Sequence, residues 1–493
     1  MIEENSFKTN LAAISPWDQG VPKINGPYVL GIGVNSSFFF PISATGERPI
    51  KYSAEGLPDG LSIDTDKGII TGSVKQQFET TINIKASNNP GSSEKTLRIV
   101  AGKRLALTPP MGWNSWNCWG PKVDTEKIKA CADAMVLSGL AAHGYNYVNI
   151  DDGWQGKRGG QFNAIQGNEK FPKMKSLCDY VHSKGLRIGI YSTPWLRSYA
   201  GFIGGSSGVC TGYVTANNRE REHYIGKITY EKEDARQWAV WGVDYLKYDW
   251  NPWDVSTVKQ MRDALLSSGR DIVYSLSNSA PFQNAAQWAE LSNCWRTTGD
   301  INDTWDNMSN IGFSQDLWIP YGGPGHWNDP DMLVVGKLGW GKVRENKLTH
   351  NEQITHITMW AILAAPLLIG CDLTRIDDFT ISLLCNEEVL AVDQDPSGKQ
   401  GHCLREIRKT DSQGQTIYHE AIYVRELYDG TKAVGLFNRG PNPEFFEVQW
   451  PELSIKGFKQ VRDLWANKNL GTFIDKFSIG VPAHGAQFIK IGR

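Results

Sequence analysis

The alternation of hydrophobic and polar positions divides the chain into three parts. Residues 26–101 contain short β-rich runs, separated by turn sequences such as Pro58-Asp59-Gly60 and Asp66-Lys67-Gly68. Short strands between regularly spaced turns predict a small β-sandwich. Alternation with a period of two returns after residue 401 and predicts an antiparallel β domain at the end of the chain.

The middle of the chain has the pattern of a parallel α/β fold. Short buried runs alternate with longer amphipathic segments such as residues 124–137, as in repeated βα units. The predicted strands are residues 112–116, 145–151, 187–192, 243–249, 272–276, 294–298, 329–335 and 366–370. Eight βα units close into a barrel whose active site lies at the C-terminal ends of the strands.

We therefore predict an α/β protein in which a (β/α)8 TIM barrel is flanked by two β domains. The predicted boundaries are 1–103 for the N-terminal β-sandwich, 104–396 for the barrel and 397–493 for the C-terminal antiparallel β domain. A chain of 493 residues has the length expected of about three domains.

Charge and hydrophobicity narrow the classes of partner. The 51 Lys and Arg residues nearly balance 53 Asp and Glu residues, so no basic field is expected to bind nucleic acid or anionic lipid. No run reaches the roughly 18 apolar residues that a membrane span requires, so none is predicted. A neutral partner fits this balance best, and the oligomeric state is left open.

The eight cysteines are scattered along the chain without CxxC pairs. This spacing argues against a zinc site and against a disulfide scaffold, and we expect buried thiols instead. No metal site is predicted.

Acidic residues and a tryptophan recur at or near the predicted strand ends. They are Trp116, Asp151, Asp152, Asp249, Asp300, Asp329 and Asp331. An aspartate after a strand often caps the following helix, which would explain any one of them. Six carboxylates on one rim would repel one another and raise one another's pKa, so the set as a whole favours a functional site.

Hydrolysis of a glycosidic bond needs two carboxyl groups in different environments, an ionised nucleophile and a protonated general acid. Lys247 and Asp249 are two positions apart on a predicted strand and face the same side, so the ammonium group is expected to keep Asp249 ionised. Asp300 has only Arg296 as a nearby cation in the sequence, so its pKa is expected to be the elevated one.

Six ordered motifs resemble the melibiase-type α-galactosidases, glycoside hydrolase family 27. They are PMGWNSW at 110–116, YVNIDDGW at 147–154, GIYS at 189–192, WGVDYLKYD at 241–249, WRTTGDI at 295–301 and GHWNDPDML at 325–333. The resemblance covers residues 105–493.

Residues 56–72 resemble the immunoglobulin-like modules of bacterial extracellular enzymes, so we expect a secreted or periplasmic protein whose signal peptide is not present in this chain.

The resemblance implies a retaining hydrolase without metal or cofactor, in which Asp249 is the nucleophile and Asp300 the general acid/base. Asp151 and Asp152 would bind the 4- and 6-hydroxyls of the terminal sugar, and Trp116 would lie against its ring. The other predicted substrate-binding residues are Lys247, Ser277, Asn278, Arg296, Asp331 and Met332.

Three departures from the family pattern bear on specificity. The family's loop disulfide is absent, because neither residues 195–201 nor residues 250–253 contain cysteine. We expect Trp195, Trp250 and Trp253 to hold these loops by packing, and leave open whether one of them also forms a wall of the pocket. An apparent insertion at residues 204–229 either shapes the sites beyond the cleaved bond or is a decorative loop.

The third departure is the loop Ser277-Asn278-Ser279-Ala280-Pro281, where the family commonly has Cys-Glu-Trp. Small residues here could admit a 2-acetamido group.

We predict an exo-acting hydrolase that releases terminal α-galactose from oligo- or polysaccharides, with α-N-acetylgalactosamine or β-L-arabinopyranose as alternative sugars. An inactive carbohydrate-binding protein is the alternative of another class. Retention predicts about 5 to 5.5 Å between the two catalytic carboxyls.

Overall fold

A computed structural model describes residues 7–208 and 222–492 of the chain. The predicted fold class is confirmed, because a sheet of eight parallel strands lies between an N-terminal β-sandwich and a C-terminal antiparallel sheet. The domain boundaries drawn at residues 103/104 and 396/397 stay predictions. In the described ranges, no helix is both long enough and apolar enough to cross a membrane.

The barrel strands follow one another around the sheet in chain order. They are Met111–Asn114, Tyr147–Ile150, Arg187–Ser192, Tyr245–Asp249, Val273–Ser277, Cys294–Arg296, Trp327–Asp329 and Leu367–Ile369, here called the first to the eighth. The first strand also pairs with the eighth. Leu333, just beyond the seventh strand, donates its N–H to Leu368 O at 2.8 Å and closes the barrel.

Helices pack around the sheet and fill the connections between its strands. The α-helices are Trp116–Trp119, Thr125–Leu137, Met174–Ser183, Glu231–Trp241, Val255–Leu266, Ala285–Leu291, Trp305–Gly312, His350–Leu363, Asp378–Leu384 and Glu387–Asp393. Asp124 and Asp254 cap two of them by accepting the N–H groups of Lys127 and Thr257.

The seventh strand differs from its prediction. Residues 329–335 were expected to form it, but the strand is Trp327–Asp329. Pro330 has no N–H to donate to a neighbouring strand, and Asp331 has a φ of 86°, so the chain leaves the sheet here. It returns only at Leu333, which forms a single bridge to Ile369.

The N-terminal β-sandwich has its own hydrophobic core. One sheet contains Val29–Gly33, Gly91–Gly102, Phe78–Asn88 and Lys51–Glu55, and the facing sheet contains Phe38–Pro41, Ile69–Gly72 and Leu61–Asp64. Lys23–Ile24 and Ala44–Thr45 form a further short pair.

This module contacts the barrel at the N-terminal ends of the strands. Arg187, the first residue of the third strand, donates from Nε to Phe39 O at 2.9 Å. Asp271, two residues before the fifth strand, accepts from Gly33 N at 2.9 Å. The module therefore covers the face of the barrel opposite to the C-terminal strand ends.

The C-terminal domain consists of antiparallel strands around a separate core. The larger sheet contains His402–Thr410, Thr416–Glu426, Lys432–Asn438, Ala486–Gly492, Phe458–Asp463 and Lys468–Ile474, and Glu444–Gln449 pairs with Lys476–Val481. It packs on the buried helix His350–Leu363, where Trp465 Nε1 donates to Thr358 Oγ1 at 2.9 Å.

Candidate active site

A cavity of about 180 Å³ opens at the C-terminal ends of the barrel strands. Its lining residues are Trp116, Asn117, Asp151, Asp152, Tyr191, Tyr199, Lys247, Asp249, Asn278, Arg296, Asp300, Ile301, Asp331, Met332 and Trp340. Of the predicted substrate-binding residues, Ser277 lies outside this lining. It is buried at the end of the fifth strand, where its carbonyl accepts from Trp253 Nε1 at 2.9 Å.

Two buried carboxylates follow the second strand. Asp151 Oδ2 accepts from both Lys247 Nζ and Asn114 Nδ2 at 2.8 Å, and its Oδ1 accepts from Asp152 N at 2.8 Å. Asp152 accepts from Gln155 Nε2 at 3.1 Å and from Ala200 N at 2.8 Å. Burial raises the pKa of Asp152 to about 6. These bonds fix both carboxylates with oxygens available to the cavity.

Asp249 is the last residue of the fourth strand and is nearly buried. Asn278 Nδ2 lies 3.3 Å from its Oδ1. Burial raises the pKa of Asp249 to about 7, a rise that Lys247 opposes and the charges of Asp300 and Asp151 increase. Lys247 acts on Asp249 in the expected direction, but its ammonium group bonds directly to Asp151, and the pKa of Asp249 stays raised.

Asp300 lies beyond the sixth strand, and its side chain is 77% exposed. Arg296 Nη2 donates to its Oδ1 at 3.0 Å and lies equally close to Asp331 Oδ2. Desolvation in the cavity raises the pKa of Asp300, but Arg296 and Lys247 outweigh it and hold the pKa below its usual value. The elevated pKa expected for Asp300 is therefore wrong, and Asp249 has it instead.

Asp331 is held in a left-handed conformation, with φ at 86°. Three hydrogen bonds fix it: its N–H donates to Asp329 Oδ1 at 2.8 Å, its carbonyl accepts from Trp360 Nε1 at 2.7 Å, and its Oδ2 accepts from Ile301 N at 2.8 Å. A strained, over-determined residue of this kind is typical of a functional position. Asp329, predicted on the rim, lies behind Asp331 and outside the cavity lining.

Aromatic packing replaces the absent loop disulfide, as expected. Trp250 packs on Trp253 with ring centroids 5.9 Å apart, and Trp253 packs edge-on against Trp288 at 5.5 Å. Trp195 stacks on His223 at 4.7 Å. The question left open for Trp195, Trp250 and Trp253 is answered in favour of packing, because all three are buried and none is among the residues that line the cavity.

The insertion at residues 204–229 is described only in part, since residues 209–221 lie outside the described ranges. Ser206–Ser207 pairs with Ile228–Thr229, and His223 packs against both Trp195 and Tyr199. The described part thus supports the loop that carries Tyr199 to the cavity.

Sequence reasoning missed five lining residues: Asn117, Tyr191, Tyr199, Ile301 and Trp340. Tyr191 lies within the motif GIYS, and Asn117 and Ile301 each follow a predicted site residue, so adjacency could have indicated all three. Tyr199 and Trp340 lie well beyond the strand ends, and only loop folding brings them to the cavity.

Comparisons with known proteins agree with this architecture. The family described as alpha galactosidase A matches residues 108–395, the alpha galactosidase C-terminal beta sandwich domain matches 420–491, and an Ig domain family matches 22–101. Alpha-galactosidase 2 of Arabidopsis thaliana is 38% identical over 80% of this chain and 92% of its own. Alpha-galactosidase of Cyamopsis tetragonoloba is 37% identical over 79% and 87%.

Solved structures extend the match to the whole architecture. A Bacteroides fragilis structure, described as a candidate alpha-galactosidase/melibiase, is 33% identical, with a TM-score of 0.84 over 97% of this chain and 99% of that one. Alpha-galactosidase I of Mortierella vinacea is 31% identical, with a TM-score of 0.64 over 78% and 97%. By its motifs, fold and relatives, this chain belongs to the melibiase-type α-galactosidases of glycoside hydrolase family 27.

Proposed function

We propose that this chain releases terminal α-galactose from oligo- and polysaccharides with retention of configuration, and that Asp249 and Asp300 carry the reaction. The observation that carries the proposal is the placement of the two acids. Asp249 is buried at the end of the fourth strand, whereas Asp300 is exposed beyond the sixth, and both line one cavity.

The shape of the cavity supports exo action. Its other carboxylates, Asp151, Asp152 and Asp331, are each buried, so the cavity is closed at their end. Asp300 is the exposed acid and marks the open end. A terminal sugar fits a site with one opening, and the group attached to it leaves past Asp300.

In the first step, Asp249 Oδ attacks the anomeric carbon and forms an ester, while the bond from that carbon to the leaving oxygen breaks. Asp300 gives its proton to that oxygen. In the second step, Asp300 takes a proton from water, whose oxygen bonds to the anomeric carbon as the ester bond to Asp249 breaks. Because each displacement inverts the anomeric carbon, the two together retain its configuration.

The reaction uses one proton shared by the two acids. The raised pKa of Asp249 and the lowered pKa of Asp300 favour the form with this proton on Asp249. The productive form has it on Asp300. The two forms differ only in which carboxyl holds the proton, so their ratio sets the fraction of enzyme ready to react.

Binding of the sugar hydroxyls is assigned to the buried acids, as the family resemblance implies. Carboxylates accept charge-assisted hydrogen bonds from hydroxyls, and the fixed positions of Asp151 and Asp152 suit selection of an axial 4-hydroxyl and of the 6-hydroxyl. Arabinopyranose has no 6-hydroxyl, so the presence of Asp152 favours galactose.

The loop after the fifth strand also favours galactose. Asn278, at a φ of 77°, donates from Nδ2 to the Tyr199 hydroxyl at 2.8 Å and faces Asp249. We infer that this bridge leaves less room for a 2-acetamido group than the small residues of the loop suggest. Relatives with other activities are an alpha-N-acetylgalactosaminidase of Gallus gallus and a β-L-arabinopyranosidase of Geobacillus stearothermophilus.

A panel of nitrophenyl glycosides tests the proposal. We expect the highest kcat/KM on the α-galactoside, lower values on the α-N-acetylgalactosaminide and β-L-arabinopyranoside, and α-galactose as the first product by NMR. Fastest cleavage of either other glycoside would reassign the sugar, first release of β-galactose would exclude retention, and inactivity on all three would favour the non-catalytic carbohydrate-binding alternative.

A further inference from the structure

Two aromatic side chains at the open end of the cavity have no part in the chemistry above. Tyr199 is 39% exposed, and Trp340 is partly exposed. Both line the same cavity as Asp300. Aromatic rings left accessible beside a sugar-binding pocket offer flat apolar faces, and the C–H face of a second pyranose is a suitable partner for them.

The two rings come from opposite sides of the barrel. Tyr199 lies in the loop after the third strand and Trp340 in the loop after the seventh. Three strands separate these two in either direction around the closed sheet. Tyr199 and Trp340 therefore reach the cavity from loops on opposite sides of the barrel.

The loop that carries Trp340 is rigidly built. The N–H groups of Gly339 and Trp340 both donate to Asn117 O at 2.8 Å, and that of Gly341 donates to Cys118 O at 2.8 Å. Trp340 has a φ of 50°, a conformation that a bulky residue rarely adopts. A Cβ on Gly339 would lie 2.2 Å from Lys342 O, so this turn requires glycine. Backbone strain is thus retained at a residue whose side chain faces the cavity.

The loop that carries Trp340 is also hydrogen-bonded to the loop that carries Asp300. Arg344 donates to both carboxylate oxygens of buried Asp303, at 2.6 and 2.9 Å. Asp303 lies three residues after Asp300, and Ile301 beside Asp300 lines the same cavity. Because Asp300 protonates the leaving oxygen, Trp340 is fixed on the side where the leaving group departs.

Tyr199 is held in place by ring contacts and by a hydrogen bond from a residue that also faces Asp249. Its ring packs edge-on against Trp195 at 5.0 Å and against His223 at 5.4 Å. Its hydroxyl accepts from Asn278, which also faces Asp249. The hydroxyl hydrogen is left to donate outward, since no acceptor for it is found among residues 7–208 and 222–492.

We propose that Tyr199 and Trp340 form the first subsite beyond the cleaved bond and hold the pyranose ring of the leaving sugar between them. The proposal rests on the function proposed above and makes a galactose linked to another sugar the preferred substrate. The same subsite also receives a sugar acceptor after the first step. The acceptor hydroxyl then gives its proton to Asp300, its oxygen bonds to the anomeric carbon, and the ester bond to Asp249 breaks, which transfers galactose.

The first test compares two substrates that differ only in the leaving group. Melibiose has a leaving sugar that fills the subsite, whereas the fluoride of α-galactosyl fluoride does not. In Trp340→Ala and Tyr199→Ala we expect the ratio of kcat/KM for melibiose to that for the fluoride to fall about tenfold. Tyr199→Phe keeps the ring and should lose much less. Trp17→Ala, which removes a partly exposed tryptophan outside the cavity, is the control and should leave the ratio unchanged.

The second test measures transfer against hydrolysis. With galactosyl fluoride as donor and methyl α-glucoside as acceptor, Trp340→Ala should give a lower ratio of transfer product to free galactose by chromatography. Equal losses on both substrates, or an unchanged transfer ratio, would overturn the subsite. Should Trp340→Ala fail to fold, Trp340→Phe serves instead, with a smaller fall expected. A wild-type enzyme that cleaves neither substrate would instead contradict the proposed function.

Discussion

At the scale of single residues, the carboxylates of the site compete for the charges of Lys247 and Arg296. Lys247 bonds to Asp151, and Arg296 lies between Asp300 and Asp331. Asp249 is left with no direct ion pair among the described residues, and burial raises its pKa to about 7. Position along the strand indicated which groups are neighbours, but not which neighbour each cation bonds to.

The shared proton gives a prediction for pH. The pair of acids loses its remaining proton as pH rises through about 7, the pKa of Asp249, and then no general acid is left. Below the lowered pKa of Asp300 both acids are protonated and the nucleophile is lost. We expect kcat/KM to be constant in mildly acidic solution and to fall about tenfold per pH unit above 7. A profile that stays flat well above pH 7 would contradict the shared proton.

Substitution separates the two proposed roles. Asp249→Ala should lower hydrolysis at least about 1,000-fold on every substrate, because the ester cannot form. Asp300→Ala should impair the first step less for a nitrophenyl or fluoride leaving group than for a sugar, since good leaving groups need less protonation. Pre-steady-state release of nitrophenol and circular dichroism check the two claims and the fold. A uniform loss in Asp300→Ala would remove it from the acid role.

At the scale of elements, side-chain packing fixes loops that a disulfide holds elsewhere in the family. The Trp250, Trp253 and Trp288 rings form a continuous cluster behind the fifth strand. The seven cysteines in the described part of the chain are all unpaired. The sequence indicated this replacement because both family cysteines are missing together and tryptophans stand in the same loops.

Trp253 provides the test of this cluster. Trp253→Ala should lower the free energy of unfolding by about 3–5 kcal/mol, because it removes a buried ring and the hydrogen bond to Ser277 O. Trp253→Phe keeps a ring and loses the bond, so about 1 kcal/mol is expected. Denaturant unfolding measures both. Equal small losses in the two variants would show that the ring does not hold the loop.

At the scale of the whole molecule, the N-terminal module and the active site lie at opposite ends of the barrel. Arg187 joins the module to the barrel, bonding to Phe39 O and to the Tyr147 hydroxyl, both at 2.9 Å. The module's contacts at this face favour a role in covering the barrel over a role in binding substrate at the site.

Arg187→Ala is therefore expected to lower the free energy of unfolding by about 1–3 kcal/mol, because two partly buried acceptors lose their donor, while kcat/KM stays within experimental error. Thermal unfolding and steady-state kinetics on one preparation measure both. A large fall in kcat/KM without loss of stability would mean that the module reaches the catalytic end.

The sequence by itself determined the order of the eight strands, because strand periodicity is a local property, and the rule that sites lie at C-terminal strand ends grouped the acidic residues of the cavity. The roles proposed for the acids and the remaining predicted lining residues came from the family resemblance of the motifs. Only the tertiary structure decided how Lys247 and Arg296 are paired, that Ser277 lies outside the cavity lining, and that Tyr199 and Trp340 belong to it. Ion pairing and loop position depend on distances between segments far apart in the chain, and those distances exist only once the barrel has closed.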